Sequence, residues 1–360
     1  MPTHVRHAIG ARTPSAVVVH SAPLILPICG PPVEDGALAV RDDRVLRVGP
    51  RHEIEAAYPE LAPVRWPGTV APGLIDAHLR LDRNPPPVFV HGVTSVAGVA
   101  GDPESASAFG GTGLGGVTYL ETRCADEARW EGEERDRLIT AIHEVDHPGA
   151  VGIAPHSPDP LVMEDLAILS RTFGLRLHAE LGRHPAGFLD EVGALGRGCH
   201  VAIFGPLDEA DRKLLRIRNT TVAISSPFAA EGLLDGGNLI AFGTRTGGDP
   251  LAAARMLAHD RSPGLDRLLV EAVTLGGARA LGVAEGRRRL GCLGPGSRAD
   301  FAVFAVESDA RTAYTTLLHE GPGRCVATVV GGRTRWRLGD AQADGSATGT
   351  GGEAETRRPA

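Results

Sequence analysis

The stretch LRLHAELGRHPAGFLDEVGALGRGCHVAIF, residues 175–204, predicts a strand, a helix and a second strand in that order. Segments 175–179 and 200–204 are short apolar runs of strand length, and segment 186–195 between them has the length of a helix. Strands that alternate with helices indicate a parallel sheet, because strands that run the same way need a crossover between them. The stretch therefore favours a parallel α/β fold.

The same alternation continues on both sides of this stretch. The glycine-rich segment 110–116 leads into a strand instead of opening a helix, so it lacks the arrangement of a dinucleotide-binding loop. We predict further strands at 118–121, 151–153, 222–225 and 239–242, and further helices at 133–145, 163–173, 208–216, 250–259 and 265–281.

Both ends of the sequence have the pattern of β-structure. Short apolar or alternating runs near the start are separated by Pro31-Pro32, and similar runs near the end flank the hairpin signal Gly331-Gly332. The early runs are 17–19, 24–28, 37–40 and 45–48, and the late runs are 301–306, 326–330 and 334–337. We expect a composite β-domain from 16–70 and 288–338, a larger α/β domain at 71–287, and disordered ends at 1–15 and 339–360.

Composition and charge exclude several classes of protein. The 360 residues are 42% hydrophobic, which is enough for a large core. The net charge of −7 argues against a general nucleic-acid binder, which needs a basic surface. No apolar run reaches the roughly 18 residues of a membrane helix. The five cysteines contain no CxxC pair and indicate reduced thiols in a cytoplasmic protein. Lys213 is the one lysine, so no spare lysine exists for Schiff-base or carbamate chemistry.

Five motifs along the chain together resemble the amidohydrolase superfamily, in particular its imidazolonepropionase and aminodeoxyfutalosine deaminase members. The resemblance covers nearly the whole chain between the two polar ends. It implies a (β/α)8 TIM-type barrel, with functional residues at the carboxyl ends of the strands, and a small β-sandwich-like composite domain. The motifs are Ser21-Ala-Pro-Leu-Ile-Leu-Pro27, Pro72-Gly-Leu-Ile-Asp-Ala-His78, Gly116-Val-Thr-Tyr-Leu-Glu-Thr-Arg123, Ala154-Pro-His-Ser157 and Leu293-Gly-Pro-Gly-Ser-Arg-Ala-Asp300.

By this resemblance, two positions that hold metal ligands in relatives are arginine in this chain. His78 matches the first ligand, but Arg80 stands two residues later, where relatives have a second histidine. Arg245 follows Gly243-Thr244, where relatives have an aspartate. A guanidinium stays protonated and has no lone pair to give a metal, so both residues oppose a bound cation. Asp249 lies four residues further on, in a predicted loop, and is a poor replacement.

The other metal-ligand positions of the family can be matched to this sequence in more than one way. Counting without gaps from Gly174 puts Glu180 at the metal-histidine position. A slip in that count would instead make His178 the ligand and Glu180 the acid/base. His200 matches a histidine that binds the metal or orients the attacked carbonyl in the family.

The resemblance also implies residues that contact substrate. Glu121, Arg123 and His156 lie in the matching motifs, although Glu121 and Arg123 could simply pair with each other and His156 could lie in a loop. Arg80 and Arg245 have three open roles: they pair with Glu121 or Glu180, they grip an anion, or they pair at the surface with Asp82 and Asp249.

Three functions follow from these alternatives. The first is a hydrolase of non-peptide C–N bonds in a small cyclic amide or amidine, with one divalent metal, zinc or iron, held by His78, His178, His200 and Asp249. The second is a metal-free pseudo-enzyme that binds an anionic small molecule through Arg80 and Arg245. The third is metal-free acid/base catalysis by Glu180 with His200. Each implies a small-molecule partner rather than nucleic acid or membrane, and barrels of this kind can form homodimers.

Overall fold

The computed structural model describes residues 16–145, 150–258 and 262–339. Of the segments expected to be disordered, 1–15 and 339–360, all residues but Gly339 lie outside the described residues, as does the end of the helix predicted at 250–259. The described part contains two separate eight-stranded sheets, one mixed and one parallel. The predicted α/β class is confirmed.

The first part of the mixed sheet is built by the N-terminal strands. Strand β1 covers the run predicted at 17–19 and the first two residues of the run predicted at 24–28, and it pairs antiparallel with β2 and parallel with β5. The elements are β1 (Val17–Ile25), β2 (Val33–Arg41), β3 (Arg44–Pro50), helix α1 (Arg51–Ala57), β4 (Val64–Arg65) and β5 (Thr69–Pro72).

The parallel sheet follows and curves into a barrel. Its strands are β6 (Leu74–Leu81), β7 (Val93–Ala100), β8 (Gly115–Thr122), β9 (Ala150–Pro155), β10 (Arg176–Glu180), β11 (Cys199–Ile203), β12 (Thr221–Ile224) and β13 (Ile240–Phe242). The helices are α2 (Pro103–Gly110), α3 (Glu127–Arg129), α4 (Arg135–Glu144), α5 (Pro160–Phe173), α6 (Ala186–Glu191), α7 (Glu209–Ile217), α8 (Pro250–Arg255), α9 (Pro263–Glu271) and α10 (Gly277–Ala280).

The chain then returns to the mixed sheet. Helix α11 (Ala313–Glu320) lies between β14 (Phe301–Phe304) and β15 (Cys325–Val330), and β16 (Arg333–Arg337) follows the Gly331-Gly332 turn. Strand β14 pairs antiparallel with β5, so the sheet runs β16-β15-β14-β5-β1-β2-β3. Both chain ends therefore contribute to one sheet.

The helix lengths depart from the sequence prediction for local reasons. The helix predicted to reach residue 195 ends at Glu191, and Gly193, with φ of +70°, follows in a left-handed conformation that glycine adopts without a steric penalty. The helix predicted over 265–281 is interrupted by a π-helical turn at Ala272–Gly276. Strand β7 was not predicted, because its sequence VTSVAGVA is made of small residues with little contrast between its two faces.

The barrel closes between its last strand and its first. Just after β13, Arg245 donates its backbone N–H to the His78 carbonyl at 2.7 Å and accepts from the Arg80 N–H at 2.9 Å. Gly243 makes this approach possible, because a Cβ atom added there would lie 2.5 Å from the Cβ of His78. The closure thus places the ends of β13 and β6 side by side.

Candidate functional site

Three histidines lie inside the barrel on strands β6, β10 and β11. The Nδ1 atom of His78 is 2.8 Å from the Nε2 atom of His178. The centroids of the His178 and His200 rings are 4.4 Å apart. His178 and His200 are register partners on adjacent parallel strands, so their side chains leave the same side of the sheet. All three are buried.

The two ring nitrogens of His200 face the barrel interior. Its Nε2 atom lies 3.1 Å from the Ala77 carbonyl, so it must carry the proton, because a carbonyl only accepts. Its Nδ1 atom lies 3.5 Å from the hydroxyl of Tyr119. The structure shows no contact between His200 and Glu180 within the described ranges, so the geometry gives no support to a pair formed by these two residues.

The carboxylate of Asp76 links the first strand of the barrel to the segment that follows its last strand. It accepts from the backbone N–H groups of His78 at 3.1 Å and Thr244 at 3.0 Å, and also from the Thr244 hydroxyl. Burial raises the pKa of Asp76 to about 6, and these hydrogen bonds oppose the shift.

Three cationic or basic side chains lie within hydrogen-bonding distance of the Glu121 carboxylate. Arg80 donates to both oxygens at 3.1 Å, and Arg123 lies 3.0 Å from both. The Nε2 atom of His156 lies 3.1 Å from Oε1. Burial would raise the pKa of Glu121, but the hydrogen bonds and charges of the two arginines outweigh it and lower the pKa to about 2. Of the alternatives for Arg80, the structure shows the pair with Glu121.

Glu180 stands at the edge of the histidine group. It accepts from the Nε atom of Arg183 at 3.0 Å, and its Oε1 atom lies 3.9 Å from the Nε2 atom of His78. Arg183 was not predicted as a functional residue. Its position three residues after Glu180 is the signal that could have found it, since this spacing allows the two side chains to meet.

Arg245 has an unusual backbone and an exposed side chain. Its φ of +64° lies in the left-handed region, which a non-glycine residue rarely adopts. Its guanidinium lies over the ring of Phe204, with 5.5 Å between the guanidinium carbon and the ring centroid. The same ring meets His78 edge-on. No carboxylate pairs with Arg245 among the contacts of the described residues.

Asp82 and Asp249, considered above as partners of the arginines or as a metal ligand, accept hydrogen bonds from backbone N–H groups instead. Asp249 caps helix α8 by accepting from the N–H groups of Leu251 at 2.9 Å and Ala252 at 3.2 Å. Asp82 accepts from the N–H of Asn84. The pairs Arg80–Asp82 and Arg245–Asp249 are therefore not formed in the described structure, and the oxygens of Asp249 bind backbone N–H groups and not the histidine group.

Burial keeps the histidines at the site neutral. Loss of solvation lowers the pKa of His78 and of His156 to about 4 and that of His200 to about 3. It lowers the pKa of His178 well below the usual value, and the neighbouring histidines add to the shift.

The donor atoms do not converge on one point where a divalent metal could sit. His78 and His178 direct one nitrogen each at the other, and His200 directs Nε2 at a backbone carbonyl. The Nε2 atom of His78 and the Nδ1 atom of His178 lack a hydrogen-bond partner among the described residues. Over residues 16–145, 150–258 and 262–339 no group of three or more His, Cys, Asp or Glu side chains is arranged to hold a metal ion. The residues as placed do not fit a metal.

A cavity of about 520 Å³ opens beside this group at the ends of β9 and β10. Its wall includes His156, Arg183, His184 and Phe188. The rings of His184 and Phe188 are stacked, with centroids 5.3 Å apart and an angle of 23° between their planes. The Nδ1 atom of His156 is buried without a hydrogen-bond partner in the described structure. The cavity thus offers a cation and a flat aromatic surface.

Comparisons with known proteins agree on the fold. Residues 36–60 match the sequence model of the imidazolonepropionase-like composite domain of bacteria. No curated protein matches the sequence. A zinc-bound adenosine deaminase from Xanthomonas campestris is similar in structure, with a TM-score of 0.69, 19% identity, and coverage of 91% of this chain and 95% of that one.

Two further solved structures are similar over most of both chains. Guanine deaminase from E. coli has a TM-score of 0.71, 16% identity, and coverage of 89% of this chain and 99% of that one. The Helicobacter pylori aminofutalosine deaminase in complex with methylthio-coformycin has a TM-score of 0.72, 14% identity, and coverage of 88% and 99%. The resemblance to the amidohydrolase superfamily is confirmed at the level of the fold. No described helix is long and apolar enough to cross a membrane.

Proposed function

We propose that this amidohydrolase-like barrel binds a small anionic molecule at the carboxyl ends of its strands, without a resident divalent metal. The observation that carries the proposal is the place of Arg80, whose guanidinium lies against Glu121 two residues after His78 on the same strand. A fixed cation at that place repels a metal ion and attracts an anion.

The charges around the mouth of the barrel favour an anion. Four arginines stand against two carboxylates at the mouth and the buried carboxylate of Asp76, whose pKa of about 6 leaves it ionised at neutral pH. With the buried histidines neutral, the net charge of this group is +1. Arg80 and Arg123 pair with Glu121, and Arg183 pairs with Glu180. Arg245 has no carboxylate partner among the described residues, which leaves it for a ligand. The residues are Arg80, Arg123, Arg183, Arg245, Glu121 and Glu180.

The cavity at β9 and β10 suggests the shape of the ligand. Arg183 is exposed on one side and pairs with Glu180 through Nε alone, so its other nitrogens can donate to a carboxylate or phosphate. The stacked rings of His184 and Phe188 suit a flat ring. We infer that the preferred ligand is a planar ring that carries a negative group.

The proposal is tested by thermal unfolding of the full chain with benzoate, phosphate or sodium chloride at equal ionic strength. Benzoate is expected to raise the melting temperature of the wild type more than phosphate, and chloride is expected to have no specific effect. The Arg183→Gln and Arg245→Gln variants should lose this shift. Arg218→Gln is the matched control, because Arg218 is an exposed arginine paired with Asp190 outside the site. An equal shift in all variants would contradict the proposal, and so would stoichiometric zinc, iron or manganese in protein purified without chelator.

A second candidate is hydrolysis of a C–N bond in a small cyclic amide or amidine. It rests on the buried Nε2 atom of His78, which has no hydrogen-bond partner in the described structure and lies 3.9 Å from Oε1 of Glu180. A carboxylate and a neutral imidazole at this separation can take up and return a proton. Turnover that is lost in Glu180→Gln while the fold is kept would favour this candidate. The homodimer and the cytoplasmic location stay predictions from the sequence.

A further inference from the structure

Two cysteines that are far apart in sequence meet where the two chain ends join. Cys29 lies in the turn after β1, and Cys292 lies between helix α10 and strand β14. The backbone N–H of Leu293 donates to the Pro27 carbonyl at 2.9 Å. The sulfur of Cys29 lies 3.5 Å from the carbonyl oxygen of Leu293, the residue after Cys292, and the side chains of Cys29 and Cys292 interact. Both thiols are free.

The turn that carries Cys29 is held in one conformation. Ile28 has φ of +68°, which is rare for a β-branched residue, and its side chain is buried. Such a conformation persists only where the surroundings enforce it. The Leu293–Pro27 hydrogen bond and the burial of Ile28 do so here, and they hold the Cys29 thiol against the carbonyl of Leu293, next to Cys292 in the chain.

The two thiols differ in exposure and in charge environment. Cys29 is exposed and Cys292 is buried. The hydrogen bond from the Cys292 thiol lowers the pKa of Cys29 to about 6 against the opposing effect of burial, and the positive charge of Arg289 adds to the lowering. The same pairing, together with burial, raises the pKa of Cys292.

The other three cysteines provide a contrast within the same chain. Cys124, Cys199 and Cys325 are all buried. Burial raises the pKa of Cys199 to about 12 and that of Cys325 to about 11, so neither is a thiolate at neutral pH. An exposed thiol with a cation and a second thiol beside it is the arrangement that reacts with peroxides.

We propose that Cys29 and Cys292 form a peroxide-reactive dithiol in which exposed Cys29 is attacked first and buried Cys292 resolves the product into a disulfide. The site is outside the barrel mouth and does not depend on the function proposed above. Its substrate class is a hydroperoxide, and its product is a covalent link between the turn after β1 and the segment that precedes β14.

The chemistry balances in two steps. The Cys29 thiolate attacks one oxygen of the hydroperoxide, the O–O bond breaks, and a sulfenic acid and a hydroxide or alkoxide are formed. The Cys292 sulfur then attacks the sulfenic sulfur, the S–O bond breaks, and the oxygen leaves as water with the thiol proton. Two thiols are oxidised by two electrons in total, and one peroxide is reduced.

The test uses the full chain, treated with one equivalent of hydrogen peroxide and analysed by intact mass and peptide mapping. We expect the protein to lose the mass of two hydrogen atoms, and the Cys29 and Cys292 peptides to be linked until a reductant is added. Cys29→Ser should abolish the reaction. Cys292→Ser should stop it at a sulfenic acid that dimedone traps on Cys29. Cys124→Ser is the matched control and should behave as the wild type.

A second measurement keeps the proposal falsifiable if a variant folds poorly. The rate of alkylation of wild-type Cys29 by iodoacetamide should show an inflection near pH 6, and this inflection should move to higher pH in Cys292→Ser. An inflection near the value of an ordinary thiol, or oxidation that links two chains through Cys29 without joining Cys292, would overturn the proposal.

Discussion

The mixed sheet and the mouth of the barrel are both built from buried strand residues, but they are stabilised in different ways. The interior of the mixed sheet packs apolar side chains such as Ile25, Leu38 and Phe301, and a buried polar pair in which Trp66 donates to His20 lies beside them. The mouth of the barrel buries ionisable groups that pair with one another. The stability of the mixed sheet therefore depends on side-chain volume, whereas the stability of the barrel mouth depends on charge and protonation.

The largest expected effect of a single change is the removal of volume from the sheet. Phe301 is fully buried, and its ring meets that of His20 edge-on at 5.1 Å. Phe301→Ala should lower the free energy of unfolding by about 4 kcal/mol, the usual cost of a cavity of this size. Denaturant titration measures the loss. Benzoate binding at the barrel mouth should be unchanged at temperatures where the variant is folded, and a large change there would show that the two regions are coupled.

Removing charge from the barrel mouth should cost less. Glu121→Gln leaves Arg80 and Arg123 without their shared anion, but Arg80 is about one-third exposed and Arg123 more so, and water screens part of the loss. We expect a loss of about 2 kcal/mol at pH 7. The double variant with Arg80→Gln should recover part of it, because the unpaired charge is then gone.

The pH dependence of the Glu121→Gln effect has a definite sign. The pKa of Glu121 is lowered to about 2 in the folded protein, so its contribution is present above the ordinary carboxyl pKa of 4.5 and is lost as the pH falls towards 2. The difference in the free energy of unfolding between wild type and Glu121→Gln should therefore become smaller as the pH falls from 4.5 towards 2. A difference that is constant with pH would mean that Glu121 acts through packing alone.

His20 provides the corresponding test in the mixed sheet, in a different pH window. Burial lowers its pKa to about 4 from the ordinary histidine value of 6.5, so the unfolded chain takes up a proton between these values that the folded protein does not. The stability of the wild type should fall relative to His20→Gln by up to about 1.4 kcal/mol per pH unit from pH 6.5 to pH 4. Denaturant titrations across this pH range measure how the stability of each protein changes with pH. If the stabilities of wild type and His20→Gln changed in parallel, the lowered pKa of His20 would be contradicted.

Much of the fold could be predicted from the sequence, because it depends on local patterns. The strand–helix alternation through residues 175–204 and the Gly331-Gly332 hairpin are periodic or turn signals that neighbouring residues carry by themselves. The resemblance to a known family supplied the barrel. Strand β7 escaped prediction because its residues are small on both faces, and only its place between β6 and β8 determines it.

The candidate site was less predictable, because its pairings join residues that are far apart in sequence. Arg80 had several possible partners, and only the barrel closure decides that Glu121 lies within reach. The His78–His178 hydrogen bond spans 100 residues and cannot be read from either motif alone. Phe204 was predicted only as the end of a strand, yet its ring contacts both the Arg245 guanidinium and the His78 ring.

The smallest expected effect concerns Asp249, which the sequence offered as a metal ligand and the structure places at the start of helix α8. Asp249→Ala should lower the free energy of unfolding by about 1 kcal/mol, the usual cost of a lost helix cap, and Asp249→Asn should keep most of it because an amide oxygen can still accept. Neither variant should change metal content or benzoate binding. A helix cap stabilises the protein through two backbone N–H groups close by in the chain, whereas a metal ligand acts at the histidine group. Loss of benzoate binding in Asp249→Asn with an unchanged free energy of unfolding would therefore show that Asp249 is part of the functional site.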